Sequence, residues 1–200
     1  KYGCGAIAYF YTEPIVYFEY MVDIARVARS KGLKNICVTA GYGNADPFKE
    51  LCGLMDAFTV GLKGFSRKFY EEVVGGSIRP VLDTLLLLKE QGVWFEIVNL
   101  ILPGLNDDFD LIAKGCRWIE KRLGADVPLH FTRFRPDYKL RHLPLTPVRT
   151  LEKARETALS AGLNYVYIGN LPGHEGNNTY CPRCKRLLVS RLGFEVVENR

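Results

Sequence analysis

Apolar residues along this chain gather in six short continuous runs, separated by longer stretches with helical spacing. The runs cover 6–11, 35–39, 57–62, 94–102, 129–134 and 165–169 and are rich in Val, Ile and aromatic side chains. Unbroken apolar runs of this length predict strands covered on both faces. Between them, apolar positions recur every three or four residues over 15–31, 47–52, 66–73, 80–91, 107–123 and 146–161, which predicts amphipathic helices. Pro80 and Thr146-Pro147 stand where helices open, and Gly32, Gly92 and Gly162 stand just past last turns. Each helix hands over to a strand within two or three residues, as in "KGLKNICV", "EQGVWFEIV" and "SAGLNYVYI".

A repeated β-α unit of this kind gives a parallel sheet with right-handed connections. Five or six units fit either an open doubly wound sheet or part of a barrel. A Gly-rich dinucleotide loop after the first strand would favour the open sheet, and the sequence has none. After Asn170 the composition changes. "LPGHEGNNTYCPRCKRLLVSRLGFEVVENR" reads as a loop, a short knuckle and two short strands. Residues 1–170 are therefore expected to form the α/β domain, and 171–200 an appended tail.

Two hundred residues are enough for one well-buried domain with a small appendage. With 48% apolar and 24% charged residues the composition is that of an ordinary globular protein. No run reaches the length of a membrane span, and nothing resembles a signal peptide. The net charge of +5 is spread over many helix faces, with one denser stretch from 133 to 141. This balance permits anionic partners without requiring nucleic acid. Cys4, Cys37, Cys52 and Cys116 lie singly inside apolar segments and read as small packing residues. With no secretion signal, a reducing cytoplasmic location is expected. The first residue is Lys1 and the chain enters a strand almost at once, so the 200 residues are expected to be the later part of a longer protein.

In a parallel α/β barrel, function collects at the carboxyl ends of the strands, where the loops converge on one mouth. Polar residues follow the predicted strands in this chain at Thr12-Glu13-Pro14, Thr39, Lys63, Pro103 to Asp107, and His130 through Arg133 to Arg135, with His174 shortly after the last strand. The opposite ends carry mainly Lys-Gly, Gln-Gly and Ala-Gly turns. One carboxylate among several cations suits a zwitterionic or anionic ligand. Glu13 would hold an ammonium, and Thr39, Lys63, Arg133 and Arg135 carboxylate or phosphate oxygens. Taken singly, Glu13 also reads as a first-turn helix carboxylate with Pro14 behind it, and Lys63 as a solvated turn lysine.

The strings "AYFYTEP", "VTAGY", "VGLKGF", "ILPGLND" and "HFTRFRPDY", closed by "GHEGNNTYCPRC", resemble the radical S-adenosylmethionine (SAM) enzymes. More narrowly they resemble the AmmeMemoRadiSam system enzymes, relatives of the pyruvate formate-lyase activating enzymes. The resemblance implies a partial (β/α)6 TIM-like barrel, lacking its first β/α unit in this chain. It also implies a [4Fe–4S] cluster that binds SAM and cleaves it reductively to a 5′-deoxyadenosyl radical. By the same resemblance Thr12, Glu13 and Pro14 form the turn that receives the methionine ammonium. Thr39 and Lys63 lie by the methionine end, Pro103 and Gly104 pass the adenine, and His130 lies near the nucleoside. Arg133, Arg135 and His174 are then rim or substrate candidates, and the family association implies Memo-like or AMMECR-like partner proteins.

Three departures accompany the likeness. The Cys-x3-Cys-x2-Cys cluster loop is missing from these residues, and in the family it lies upstream. Gly61-Leu62-Lys63 stands where activating enzymes carry Asp-x-Lys, and Thr39-Ala40-Gly41 where relatives carry Thr-Asn-Gly. In the tail, Cys181-Pro182-Arg183-Cys184 has the spacing of half a zinc or iron site, two thiolates on one turn. Lys185 follows it where relatives have Gly, which is expected to weaken that geometry. Two other functions fit parts of the pattern. Lys63 at a strand end suits a Schiff-base barrel lyase or aldolase. The interleaved arginines and aromatics of 131–141 suit a nucleic-acid-binding module, against which stands the reading of an active-site rim with a solvated basic loop.

Overall fold

A computed structural model of the chain describes residues 3–193 and 195–200. Six strands, β1 Ala6–Tyr9, β2 Lys34–Thr39, β3 Ala57–Gly61, β4 Trp94–Ile101, β5 Leu129–Arg133 and β6 Val166–Gly169, form one sheet in the order β1-β2-β3-β4-β5-β6. Pairing is parallel from β1 to β2, β2 to β3 and β5 to β6, with Ala8 opposite Ile36, Thr39 opposite Val60 and His130 opposite Tyr167. Spatial order and chain order coincide. A doubly wound sheet reverses its order at a switch point, whereas a (β/α) barrel sheet does not. The fold is accordingly the α/β one expected, a partial (β/α)6 barrel sheet. None of the described helices is long and apolar enough to cross a membrane.

The chain divides into two compact units, Lys1–Leu62 with Ser77–Ile97, and Lys63–Gly76 with Val98–Arg200. The first contains α1 Phe18–Ser30, α2 Ala45–Cys52 and, from beyond its break, α4 Ile78–Glu90. Their apolar stripes bury Met21, Val22 and Ala25, Phe48 and Leu51, and Val81, Leu85 and Leu88. Asn35 is fully buried and satisfied. It accepts from the Tyr9 hydroxyl at 3.0 Å and donates to the carbonyls of Ala25 and Leu54 at 3.0 and 3.1 Å. One side chain thereby joins β1, α1 and the turn after α2, as a buried amide must be joined to something.

The second unit contains α3 Arg67–Phe69, α5 Phe109–Arg122, α6 Val148–Ser160 and a separate antiparallel sheet of β7 Thr179–Tyr180, β8 Leu187–Leu192 and β9 Glu195–Asn199. Ile112, Cys116 and Ile119 of α5, Leu151, Ala154 and Ala158 of α6, and Leu129, Phe131, Val166 and Ile168 of the strands make its core. Thr146 is the polar tie here. Its hydroxyl donates to the Ile101 carbonyl at 2.7 Å and accepts from the Phe134 N–H at 2.9 Å, fully buried.

Four local readings change. The first strand stops at Tyr9, and the helix expected from 15 opens as a 3-10 turn, Pro14–Tyr17, before α1. Tyr17, at φ −117° and ψ 44°, breaks the two apart. The helix expected over 66–73 is the single turn of α3 followed by a wider π turn, Tyr70–Val74, ended by Gly75 at φ 78°. Apolar spacing over two turns does not distinguish these pitches. The tail has three strands rather than two, because Thr179 and Tyr180 pair with Val189 and Leu187. Finally, burial alternates along β2, β3 and β4: every second residue is buried and its neighbours are half-covered or exposed. Apolar sequence does not report that difference, since in β2 the half-covered Ile36 and Val38 are more apolar than Asn35 and Thr39, which are buried.

Candidate functional site

Glu13 lies four residues past β1 in extended backbone, held there by the turn at Pro14. Its Oε1 accepts from the Thr39 hydroxyl at 2.6 Å and from the Ile15 N–H at 3.3 Å. Its Oε2 accepts from the Ala40 N–H at 2.7 Å. Thr39, only 4% exposed, in turn accepts from the Gly41 N–H at 3.0 Å. Gly41 has φ +68°, and a Cβ there would stand 2.9 Å from Val60 Cγ1, so glycine is required on both counts. The carboxylate is thus the cap of the Pro14 turn and also the clamp between the ends of β1 and β2. An ionised carboxylate has about four acceptor positions. Among the described residues three are filled, and the remaining one is on Oε2. Its charge is felt locally: burial, followed by the nearby Glu13 carboxylate, pushes the Cys37 thiol up to about 12.

In the second unit, Asn106 organises the loops that follow Leu62 and Ile101. The Lys63 N–H donates to the Tyr70 hydroxyl at 3.0 Å, and its carbonyl accepts from Asn106 Nδ2 at 2.8 Å. The same Nδ2 donates to the Leu100 carbonyl at 2.8 Å, and Oδ1 accepts from the Leu102 N–H at 2.7 Å. Asp107 accepts from the Gly104 N–H at 2.9 Å, which closes the Pro103-Gly104 turn. The Lys63 residue itself is exposed, not enclosed in the apolar pocket that activates a Schiff-base lysine.

His130 on β5 stacks on Tyr167 of β6, with ring centres 4.9 Å apart and planes at 22°. Arg191 of β8 lies over the same tyrosine at 5.8 Å and donates to the Thr179 hydroxyl at 2.8 Å. Arg133 Nε donates to the Thr146 carbonyl at 2.9 Å, and Arg135 is exposed. His174 is engaged with α6. Its Nε2 is 3.3 Å from Glu152 Oε1 and its Nδ1 accepts from the Gly176 N–H at 3.0 Å. The structure therefore joins Glu13, Pro14 and Thr39 in one group and ties Lys63 to the Pro103-Gly104 turn in another. Thr12 is exposed beside the first group. Cys181 and Cys184 sit on the turn between β7 and β8, and among the described residues no three His, Cys, Asp or Glu side chains form a metal site.

Sequence reasoning gave Tyr167 no role and read Asn106 and Thr146 without their contacts. Asn106 stands in the polar stretch Pro103 to Asp107 after the fourth strand, where "PGLND" reads as an ordinary turn. Thr146 reads as a helix opener. Nothing in the order of residues says that its hydroxyl reaches back to Ile101, 45 positions earlier.

A sequence profile of the radical SAM superfamily matches residues 1–114. An uncharacterized protein of Methanocaldococcus jannaschii is 47% identical over 194 residues, covering 97% of this chain and 57% of that protein. The pyruvate formate-lyase-activating enzyme of Clostridium pasteurianum is 24% identical over 149 residues, covering 70% of this chain and 62% of the enzyme. The chain thus spans about three-fifths of the length of these relatives. Among solved structures, a domain of a pyruvate-formate lyase-activating enzyme from Bacteroides vulgatus superposes with a TM-score of 0.72 at 14% identity, covering 83% of this chain and 99% of that one. That likeness speaks for the fold alone. With the profile spanning more than half of its residues, the chain belongs to the radical SAM superfamily.

Proposed function

We propose that the protein acts as an activating-enzyme-like radical SAM enzyme of the AmmeMemoRadiSam kind, and that Glu13 receives the methionine ammonium of SAM. In this reading a [4Fe–4S] cluster, held by residues other than those described, would supply the one electron needed to cleave SAM to methionine and a hydrogen-abstracting 5′-deoxyadenosyl radical. The observation that carries it is the Glu13 carboxylate, fixed by three donors with one acceptor position open at a strand end. A cation is the partner such a partly buried carboxylate calls for. Thr39 and Ala40 would orient the carboxylate, while Thr12 and Pro14 shape the turn around the amine. Lys63, Pro103, Gly104 and His130 remain the proposed contacts for the carboxylate and nucleoside portions.

The residues present fit SAM but not the cluster. Burial pushes the thiols of Cys37 and Cys116 up to about 12 and that of Cys52 up to about 11, whereas a cluster needs thiolates. Cys4 stands alone, and Cys181 and Cys184 are two where the superfamily loop has three. Cluster ligands would come from sequence beyond these 200 residues. We take 1–170 as the barrel part and 171–200 as its tail, working in the cytoplasm with a Memo-like or AMMECR-like protein. The test is anaerobic incubation of the intact, iron–sulfur-reconstituted protein with SAM and a strong reductant. Formation of 5′-deoxyadenosine and methionine is expected, and their absence would remove the assignment.

A further inference from the structure

The tail cysteines have no part in that reading, and packing does not explain them either: Cys181 is half-buried and Cys184 exposed. They occupy a turn with a defined shape. The Cys181 N–H donates to the Arg186 carbonyl at 2.9 Å, and the Lys185 N–H returns to the Cys181 carbonyl at 2.9 Å, closing the turn where β7 meets β8. Lys185 adopts φ 58°, the left-handed region. This is the position where the sequence carries Lys in place of Gly, and the turn places that lysine in the conformation glycine adopts without strain. A left-handed lysine costs about 1–2 kcal/mol, and the turn's two backbone hydrogen bonds hold it there.

The two sulfurs stand three residues apart on this one hydrogen-bonded turn, neither of them buried in the core. A Cys-x2-Cys pair on one tight turn is the arrangement that supplies two thiolates to a tetrahedral metal. Cys181 also lines a cleft of about 310 Å³, shared with Arg155, Tyr165, Tyr167, Glu175 and Lys185.

We propose that Cys181 and Cys184 are the two thiolate ligands of a site for a thiophilic divalent cation, with zinc as its probe. Binding exchanges two thiol protons for one cation, so affinity rises with pH until both thiols are ionised. Tetrahedral zinc takes four ligands. The described residues provide no third His, Cys, Asp or Glu at this point, so the other two positions are taken by water or by donors beyond those residues. The proposal is independent of SAM cleavage.

The experiment is equilibrium dialysis of the intact, reduced protein against zinc, without iron reconstitution, for wild type and C181S/C184S. Wild type is expected to bind about one more zinc per chain than the double variant, or about half if two copies share the ion. Alkylation mapped by mass spectrometry on wild type alone guards against a misfolded variant: zinc is expected to slow modification of Cys181 and Cys184 at least about tenfold. Equal zinc uptake by both proteins, or alkylation of both cysteines unchanged by zinc, overturns the assignment.

Discussion

Asn106 makes a sharp test of how the loops of the second unit are held. N106A deletes an accepted hydrogen bond of 2.7 Å from Leu102 and two donated ones of 2.8 Å to Lys63 and Leu100, at a residue only 8% exposed. A neutral hydrogen bond contributes about 1 kcal/mol net, and a buried N–H left unpaired costs about 1–3 kcal/mol. The loss should be about 2–4 kcal/mol. With a urea m-value of about 2 kcal/mol/M, the midpoint falls by about 1–2 M. N106D sharpens the test. It places a carboxylate oxygen against two carbonyl oxygens, so at pH 7 it should destabilise at least as much as N106A. As pH falls and the carboxyl gains a proton to donate, it should recover part of that loss. Urea unfolding followed by far-UV circular dichroism at pH 7 and pH 4.5 measures both. An N106A midpoint within about 0.3 M of wild type, or an N106D deficit that grows with acid, would refute the role assigned to this amide.

Other expectations follow from single contacts. A Cβ on Gly115 would lie 1.9 Å from Phe65 Cδ1, so G115A should cost about 1–3 kcal/mol despite alanine's better helix propensity, and G115A/F65A should cost less than the two single changes combined. The Lys34 ammonium, and then the Asn35 N–H, hold the Asp56 carboxyl below its ordinary value. Its folded pKa being the lower one, the stability it adds is present above about pH 4 and lost as pH falls through the folded value. The difference in melting temperature between wild type and D56N should therefore close in acid. T146V leaves the Phe134 N–H and the Ile101 carbonyl unpaired in a buried position and should cost about 2–3 kcal/mol by chemical denaturation. Without metal, iodoacetamide at pH 7.5 should modify Cys181 well before Cys37 and Cys116, whose thiols burial raises to about 12.

Much of the fold was legible because β-α repeats write themselves in apolar periodicity. All six strands of the main sheet and their connecting helices appear in the order read from the sequence. What periodicity cannot carry is which face of a strand ends up covered, or whether two turns of spacing make an α or a π turn. The 70–74 segment and the alternating burial of β2 escaped for those reasons. At the site, the strand-end position of Glu13 was legible, but its pairing with Thr39 joins residues 26 apart through three-dimensional proximity alone. Asn106 escaped because it acts through backbone atoms of loops whose meeting the sequence does not announce. At the tail turn the position where glycine would be unstrained was legible in the sequence, and Lys185 takes the left-handed conformation there.

The claim that Glu13 receives the SAM ammonium is tested most directly by ligand affinity in E13Q. The glutamine retains the side-chain length and can still accept from the Ala40 N–H, so the fold should survive while the negative charge is lost. A charge-assisted contact contributes about 1.5–3 kcal/mol, or about 10- to 150-fold in affinity. Titration calorimetry on the intact, cluster-loaded protein should show SAM weakened by that factor. 5′-Methylthioadenosine, which lacks the amino-acid portion, should bind wild type and E13Q within about twofold of each other. Unchanged SAM affinity, or equal weakening of both ligands, would contradict the account.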